Sequence, residues 1–291
     1  MPRPFTLTLC ADDFALSPGV SLGIREALAA GRLSATGCMT NMPCWPREAG
    51  ALKPLAGTAD IGLHLNLTAG KPLTAMPVLA PAGALPSIGT LMSSARCKQL
   101  PEPEIAAEIA AQLDAFINHF GRAPDFVDGH QHVQVLAGID RLLLAELGRR
   151  GLAGKLWLRN SGDRAGRILA RRSALPKALG LAWLARGFAA QAAAAGFATN
   201  DSFAGFSAFD PGADYGADFA RYLVAPGAHH LVMCHPGHVD NELRAVDPVT
   251  QSREQELAFL MSDRFGEVMG RAGAGLVRAR TQWGEDGFKI S

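Results

Sequence analysis

Short runs of apolar residues alternate along the chain with longer stretches in which apolar residues recur every three or four positions. The short runs have the length of buried strands, and the longer stretches have the period of amphipathic helices. Strands and helices that alternate in this way form a parallel sheet with right-handed crossovers, either open or closed. Seven strand-like runs in a chain of this length favour a barrel, and they lie at 6–11, 35–41, 60–67, 125–131, 155–159, 230–235 and 275–281.

Helix signals are strongest in three places. Ser17-Pro18 combines a capping residue with a proline at the first helical position and predicts a helix over 18–31. The apolar period predicts a second helix over 105–120, which Gly121 ends. Ser252, with a glutamine three positions later, has the pattern of a capping box and predicts a single helix that reaches residue 271.

Two segments interrupt this alternation and are predicted to be loops over one end of the barrel. Residues 72–103 are marked by Pro and Gly and lack a clear period, and residues 201–218 are rich in Phe and Gly. Three aromatic residues of the second loop, together with the stretch 73–92, are interpreted as one wall of a substrate groove. The alternative is that these aromatics only pack the loop itself. They are Phe203, Phe206 and Phe209.

No repeat, low-complexity tract or linker divides the chain, so residues 1–291 are predicted to form a single domain. Lys and Arg number 28 and Asp and Glu number 27, which leaves a net charge of +1 and no overall field to attract nucleic acid or an anionic membrane. The basic pairs Arg149-Arg150 and Arg171-Arg172 are interpreted as solvated helix ends. No nucleic-acid partner is therefore predicted.

The cysteines and the absence of targeting signals predict a cytoplasmic protein. Five cysteines without a CxxC motif indicate neither a disulfide framework nor a zinc ribbon. Cys10 and Cys234 lie inside apolar runs and are predicted to be buried thiols. The first strand and its acidic residues come too early for a signal peptide. The most apolar stretch, 178–197, is interrupted by Arg186 and Gln191 and falls short of a transmembrane segment.

Polar side chains follow several predicted strands at the point where the apolar run ends. Because the carboxyl ends of parallel strands meet at one edge of a barrel, these side chains are expected to converge at one mouth. The two-residue period of a strand predicts that the polar residues of the fourth run share one face. The residues are Asp12 and Asp13 after the first strand, His64 and Asn66 in the third, Asp128, His130, His132 and Gln134 in the fourth, and His235 and His238 after the sixth.

Clustered carboxylates and imidazoles suit a divalent metal ion. Two neutral imidazoles and one carboxylate leave coordination positions open, which is typical of a catalytic site, and these ligands admit Mg, Zn, Mn, Co or Ni. A second carboxylate beside the ligands could act as a general base toward water. The chain has no Gly-x-Ser-x-Gly motif and no glycine-rich nucleotide loop, so neither a serine nucleophile nor a nucleotide is predicted.

Each of these residues also has an ordinary structural interpretation. An Asp-Asp pair after a strand often caps a helix, and a single histidine such as His64 is more often a hydrogen-bonded core residue. Three strand ends that supply Asp, His and His argue against that interpretation for the whole set. Asp12 and Asp13 can both serve one site only if the strand ends there, because adjacent strand residues face opposite sides. Two other functions stay open: hydrolysis of a phosphoester or cyclic amide, and a barrel that binds a sugar or lipid without turnover.

Five short motifs occur in order along the chain. They are Ala11-Asp12-Asp13-Phe14, Thr40-Asn41, Gly62-Leu63-His64-Leu65-Asn66-Leu67 with Gly70-Lys71-Pro72-Leu73, Asp128-Gly129-His130-Gln131-His132, and Cys234-His235-Pro236-Gly237. Together they resemble the YdjC/ChbG-like carbohydrate deacetylases, over about residues 5–285. Two positions depart from the family pattern: Ala15 replaces a glycine, and Gln134 replaces a third histidine.

The resemblance implies a distorted TIM-like (β/α) barrel of the glycoside hydrolase/deacetylase type, often found as a homodimer. It implies that Asp13, His64 and His130 bind one divalent metal ion, that Asp12 is the general base and that His235 is the general acid. Members act on the N-acetyl group of small chito-oligosaccharides, and one subgroup is linked to hopanoid lipids. The expected activity is hydrolysis of the linear amide C–N bond of an N-acetylated amino sugar, short oligosaccharide or glycolipid.

Overall fold

A nine-stranded parallel sheet forms the centre of the protein, with helices packed around it. The computed structural model describes residues 3–210 and 212–286. Along the sheet the strand order is β6-β5-β4-β3-β2-β1-β8-β7, and β9 pairs with the start of β1. The strands are β1 (Phe5–Phe14), β2 (Ala35–Cys38), β3 (Asp60–Leu65), β4 (Phe126–Gly129), β5 (Trp157–Leu158), β6 (Ala198–Thr199), β7 (Ser202–Ala204), β8 (His230–Cys234) and β9 (Ala274–Leu276).

Thirteen α-helices and two 3-10 helices connect the strands within the described residues. The 3-10 helices are Ala49–Leu55 and His130–Val135. The α-helices are α1 (Pro18–Ala29), α2 (Trp45–Glu48), α3 (Ile88–Arg96), α4 (Glu102–Phe120), α5 (Ile139–Arg149), α6 (Ala165–Arg171), α7 (Leu175–Leu184), α8 (Phe188–Ala194), α9 (Tyr215–Tyr222), α10 (Asn241–Val246), α11 (Gln251–Met261), α12 (Asp263–Ala272) and α13 (Ala279–Asp286).

The two edges of the sheet meet in one short segment of chain, 198–204. Its first part, β6, pairs with β5, and its second part, β7, pairs with β8. Asn200 lies between them, and its side-chain amide exchanges two hydrogen bonds of 2.8 Å with the backbone of Asn160. The sheet therefore curls until both edges share this segment, and the predicted distorted barrel is confirmed.

The central strand, β1, explains why the strand runs are continuously apolar rather than alternating. Leu7 and Leu9 are fully buried, and so are Thr8 and Cys10, whose side chains point to the other face. A parallel sheet covered by helices on its outer side has no solvent-facing surface, so both faces select apolar residues.

Several predicted boundaries are wrong, each for a local reason. β6 and β7 have two and three residues, too few to show a period. The helix predicted from Ser252 to residue 271 is two helices that meet at Ser262, and Ser252 is buried inside α11 rather than capping it. The segment 72–103 is not only loop, because Ser87 caps α3 within it. The last predicted strand ends early, and α13 follows it.

The helix signals near the N-terminus and in the middle of the chain are confirmed. The Ser17 hydroxyl accepts the backbone N–H of Val20 and caps α1, and Gly121 ends α4 with a φ of 97°. No helix among the described residues combines the length and apolarity needed to cross a membrane.

Candidate active site

Most of the polar residues predicted at the strand ends converge at the C-terminal mouth of the barrel. Asn66 and His238 do not: Asn66 donates to Asn41, and His238 pairs with Glu26 on the surface. A cavity of about 470 Å³ opens at the mouth, the place where parallel β/α barrels carry their active sites. Residues from four strand ends and from the surrounding loops and helices line it, among them Asp12, Asp13, His64, His130, His132, Lys177, Phe209, His235, Asp247 and Arg253.

Asp12 and Asp13 both reach the cavity because β1 is irregular at its end. The register between β1 and β2 shifts between Ala11 and Phe14, and Asp13 has a φ of 69°. A bulge of this kind adds one residue on one strand and changes the direction of the side chains. Ala15, at the position where the family has glycine, also has a positive φ of 72°, a conformation that glycine adopts without steric cost.

Asp13, His64 and His130 bring one carboxylate and two imidazoles together. One ligand atom from each lies within 4.8 Å of the other two. His130 Nδ1 is 2.8 Å from Asp13 Oδ1, and His64 Nε2 is 3.3 Å from the same oxygen. Carboxylate oxygen and imidazole nitrogen are ligands that divalent metal ions accept, so the donor set fits such an ion. Their assignment as metal ligands stays a prediction.

Asp128 lies directly behind His64. Its Oδ1 is 2.7 Å from His64 Nδ1, so an Nδ1–H donates to the carboxylate and Nε2 is left facing Asp13. Burial lowers the pKa of His64, but the Asp128 and Asp12 carboxylates outweigh it and raise that pKa to about 10. Gly37 on β2 leaves room for this pair, because a Cβ there would lie 3.1 Å from Asp128 Oδ1 and from His64 Nδ1.

Arg159 is a charged residue of the site that is absent from the predicted set. It follows β5 and donates from Nη1 to Asp12 Oδ2 at 2.7 Å and from Nη2 to Asp12 Oδ1 at 2.5 Å. Burial alone would raise the pKa of Asp12, but the guanidinium lowers it to about 2. Its position in the sequence could have indicated this role. Arg159 is the last residue of the strand-like run 155–159, so it lies at the carboxyl end of a strand, as the other site residues do.

Arg253, on α11, is the second charged residue of the site that the sequence analysis did not predict. Its Nη2 is 2.7 Å from Asp13 Oδ2 and 2.7 Å from Asp247 Oδ2. Burial would raise the pKa of Asp13, but the neighbouring His130 and Arg253 hold it well below its usual range. No pattern in the sequence indicates this contact, because a helix supplies the residue from 240 positions away.

His235 follows β8 and faces Asp12 across the cavity. Its Nε2 is 3.9 Å from Asp12 Oδ2, and its backbone N–H donates to buried Glu256 at 2.6 Å. Its Nδ1 is buried and has no hydrogen-bond partner among the described residues. Burial lowers the pKa of His235 to about 4, although the carboxylates of Asp12 and Asp13 oppose that shift.

The fourth strand ends earlier than predicted, at Gly129. Gln131 and His132 have positive φ values of 52° and 62°, so the shared face predicted beyond His130 is wrong. His132 still lines the cavity, with its Nδ1 3.1 Å from the Ser161 hydroxyl. Gln134 is buried, and its amide donates to the backbone oxygen of Arg159 at 3.1 Å. The residue in place of a third histidine therefore supports the arginine that holds Asp12.

The segment 201–218 is not only loop as predicted, because β7 and the start of α9 lie in it, and its three aromatic residues divide into two groups. Phe203 and Phe206 are buried, with ring centroids 5.3 Å apart, and each also packs against His132. Phe209 lines the cavity, with its ring 5.2 Å from that of His235 and with Lys177 Nζ 4.7 Å from its centroid. The packing interpretation therefore holds for the first two, and Phe209 is the one on the cavity wall.

These features define a class: a parallel β/α barrel with a carboxylate–imidazole cluster at the carboxyl ends of its strands. The profile of the YdjC-like protein family matches residues 6–271. The chain belongs to this family, and the resemblance indicated by the motifs is confirmed.

Curated relatives match part of the chain. The chitooligosaccharide deacetylases of Enterobacter sp. (strain 638) and Klebsiella pneumoniae (strain 342) are 36% and 35% identical to it over 147 residues. Each match covers 50% of this chain and 57% of the relative. The chain therefore spans little more than half the length of the curated relatives that it matches.

Two solved structures share the fold over almost their full length. A protein of Enterococcus faecalis V583, described as a cellobiose-phosphate cleavage protein, has a TM-score of 0.75 at 22% identity, over 96% of this chain and 99% of that one. A family 4 carbohydrate esterase from Streptomyces lividans, in complex with acetate, has a TM-score of 0.50 at 11% identity, over 98% and 97%. At these identities the similarity shows the fold alone.

Proposed function

We propose that this protein is a metal-dependent deacetylase that hydrolyses the N-acetyl group of an amino sugar, a short N-acetylated oligosaccharide or a glycolipid. One observation carries the proposal: the Asp13, His64 and His130 donor set shares a cavity with a second carboxylate, Asp12, and a further imidazole, His235. Membership of the YdjC-like family supports it, and the relatives named chitooligosaccharide deacetylases suggest the substrate class.

The donor set has a defined task in this proposal. Asp13, His64 and His130 would hold one divalent ion, which polarises an amide carbonyl and makes water more acidic when it is bound. Asp128 orients His64 through the 2.7 Å contact with its Nδ1, as carboxylates behind metal-binding histidines do. Arg253 holds the other oxygen of Asp13.

Asp12 and His235 have complementary tasks. Water adds to the carbonyl carbon of the acetamide, and Asp12 accepts the proton that this water loses. The C–N bond then breaks, and the nitrogen must gain a proton to leave as an amine. His235 Nε2, 3.9 Å from Asp12 Oδ2, is placed to take up the proton that Asp12 has accepted and to pass it to that nitrogen. The products are acetate and the free amino sugar.

The size and lining of the cavity suit a small glycan. A volume of about 470 Å³ lies within the range of small-molecule sites. Phe209 offers an apolar surface for a sugar ring, and the surrounding polar groups can bind hydroxyls.

The proposal is tested by measuring acetate release from N-acetylglucosamine, from N,N′-diacetylchitobiose and from a non-glycan amide. The protein is assayed after chelation and after addition of Mg, Zn, Mn, Co or Ni. We expect release from the glycans only when an ion is present. Release from the non-glycan amide alone would overturn the substrate class, and release that survives chelation would overturn the metal dependence. Glycan binding without any release would favour a binding barrel.

The role of Asp12 is tested in the same assay. Asp12→Asn should retain the ion and lose turnover by a factor of about a hundred or more, because it removes a general base. Asp114→Asn, which changes an exposed carboxylate on α4, is the matched control and should have wild-type activity. Near-normal turnover in Asp12→Asn would place the base elsewhere.

A further inference from the structure

One helix beside the barrel mouth exposes an apolar face to solvent. α7 buries Ala178 and Leu181 against the protein. Its opposite face consists of positions that recur at helical spacing and are all exposed: Pro176, Leu179, Gly180 and Trp183. Trp183 is 62% exposed and Leu179 is 38% exposed. A helix that is apolar on all sides is normally covered on all sides, so this face is suited to a partner.

The same part of the chain concentrates positive charge. Between Asp163 and Asp201 the chain contains six basic residues and no Asp or Glu, although the net charge of the whole chain is only +1. Arg167 and Arg171 pair with Asp163. Within the described residues, no ion pair engages the other four, which are exposed: Arg164, Arg172, Lys177 and Arg186.

The arginines at the end of α5 show that adjacent basic residues need not leave free charge. Arg149 and Arg150 both pair with Glu146, and Arg150 also pairs with Asp114. The interpretation of Arg171-Arg172 as a solvated helix end is wrong for Arg171, because its buried guanidinium donates to Asp163 and Ser202. It holds for Arg172, which is exposed. Unpaired positive charge and exposed apolar surface therefore coincide on the segment 164–186.

We propose that the segment 164–186 is a docking surface for an anionic lipid bilayer. Trp183 and Leu179 enter the boundary between headgroups and acyl chains, where Trp is favoured. The side chains of Arg164, Arg172 and Arg186 reach the lipid phosphates. α7 has ten residues and is about 15 Å long, against roughly 30 Å of bilayer hydrocarbon. It would therefore lie along the surface and would not cross the membrane.

Other partners fit this surface less well. A second copy of the chain would place the same unpaired cations against each other, with no carboxylate from the segment to neutralise them. A nucleic acid would neutralise the cations but leave the Trp183 and Leu179 face against a highly charged backbone. A bilayer with anionic headgroups satisfies both features together.

The docking surface adjoins the active-site cavity. Lys177 belongs to α7 and also lines the cavity, with its Nζ over the ring of Phe209. Docking would thus hold the barrel mouth at the lipid surface. The enzyme would then prefer amino sugars that are attached to lipids. This preference rests on the proposed deacetylase function, whereas the docking itself does not.

The test is co-sedimentation of the full chain with vesicles of phosphatidylcholine, and with vesicles of equal parts phosphatidylcholine and phosphatidylglycerol, at low and high salt. We expect binding to the anionic vesicles that weakens as salt rises. Trp183→Ser should weaken it about tenfold because it removes the inserted aromatic ring. Val78→Ser is the matched control, since Val78 is 69% exposed and lies outside the segment.

A pair of double variants tests the charge. Arg172→Gln with Arg186→Gln should weaken binding to anionic vesicles about twenty-five-fold, or about fivefold for each cation near the surface. Arg149→Gln with Arg271→Gln changes the net charge equally at exposed positions elsewhere and should bind as the wild type does. Equal binding by the two double variants would overturn the proposal.

Three further results would contradict docking. The first is that the wild-type protein does not bind anionic vesicles, and the second is that Trp183→Ser binds them as tightly as Val78→Ser does. The third is that sedimentation velocity shows a wild-type dimer that the Trp183→Ser substitution dissociates. Acetate release from a soluble N-acetylated sugar separates the two proposals. We expect Trp183→Ser to release acetate as the wild type does. If the wild type itself released no acetate, that result would count against the deacetylase function and not against docking.

Discussion

Arg159 contacts both oxygens of Asp12 through the two ends of its guanidinium, at 2.7 and 2.5 Å, and both side chains are buried. The same Nη2 lies 2.6 Å from Asp128 Oδ2, and Asp128 holds His64. One arginine therefore connects the proposed general base to the carboxylate behind a predicted metal ligand. A bidentate contact fixes the plane of the Asp12 carboxylate as well as its charge.

Replacing Arg159 by Met should leave two buried carboxylates without their cation. We expect the free energy of unfolding to fall by about 3 kcal/mol or more, as when one partner of a buried pair is removed. Arg159→Lys should recover only part of this loss, because an ammonium cannot make the bidentate contact. Urea denaturation measures both. Arg141→Lys, at the exposed ion pair with Glu102, is the control and should leave the midpoint of unfolding nearly unchanged. A wild-type midpoint in Arg159→Met would contradict the structural role.

Removal of a predicted metal ligand should abolish retention of the ion. Asp13→Ala, His64→Ala and His130→Ala each delete one donor from a set of three, and elemental analysis after gel filtration gives the stoichiometry. His238→Ala serves as the control, since His238 is exposed and pairs with Glu26 outside the cavity. An unchanged metal content in His64→Ala would show that the assignment is wrong.

A methyl group at Gly37 should disturb the site without removing any of its functional groups. In Gly37→Ala the new Cβ would lie 3.1 Å from Asp128 Oδ1 and His64 Nδ1, closer than ordinary contact, so the pair must shift. We expect acetate release to fall about tenfold or more while the protein stays folded, because small misplacements at an active site are costly. Gly50→Ala, where the added Cβ meets nothing within 4 Å, should have wild-type activity. Equal activities would mean that the His64–Asp128 contact tolerates displacement.

Phe209 and Phe206 should behave differently when each is replaced by Ala. Phe209 lines the cavity, so its loss should raise KM for a small N-acetylated sugar and leave stability nearly unchanged. Phe206 is buried against Phe203 and His132, so its loss should lower the free energy of unfolding by about 3 kcal/mol. Steady-state kinetics and urea denaturation of both variants make the comparison. A KM effect confined to Phe206→Ala would reassign the cavity wall.

His230 should make the protein less stable in mild acid. Burial, with the nearby Arg171 guanidinium, lowers the pKa of His230 to about 4, whereas in the unfolded chain it is about 6.5. The unfolded state therefore binds more protons between these values, and stability is lost as the pH falls from about 6.5 toward 4. The loss due to this residue should be about 2 kcal/mol between pH 7 and pH 5.

Urea denaturation at the two pH values, for the wild type and His230→Gln, isolates that contribution from those of the other buried histidines. The variant should lose less stability than the wild type over the same interval. Identical pH dependence in His230→Gln and the wild type would contradict the assignment.

Much of the site follows from local patterns in the sequence. Asp12, His64, His130 and His235 stand where apolar runs end, and the topology of a parallel barrel brings those ends to one mouth regardless of the lengths of the connections. The parallel sheet with its covering helices follows from the alternation of strands and helices, and the number of strand-like runs favours a barrel over an open sheet. Strands of two or three residues are too short to show a period, so β6 and β7, which close the sheet, could not be predicted in this way.

The charges that hold the site and the exposure of its surroundings depend on the tertiary structure. Arg159 and Arg253 reach Asp12 and Asp13 from 147 and 240 positions away, and no sequence period records a contact over that distance. The positive φ of Asp13 accompanies a register shift between β1 and β2, and the local sequence does not predict that shift. Trp183 has the same apolar character whether it is buried or exposed, and only the packing of α7 decides which, because burial is a property of the neighbours and not of the residue.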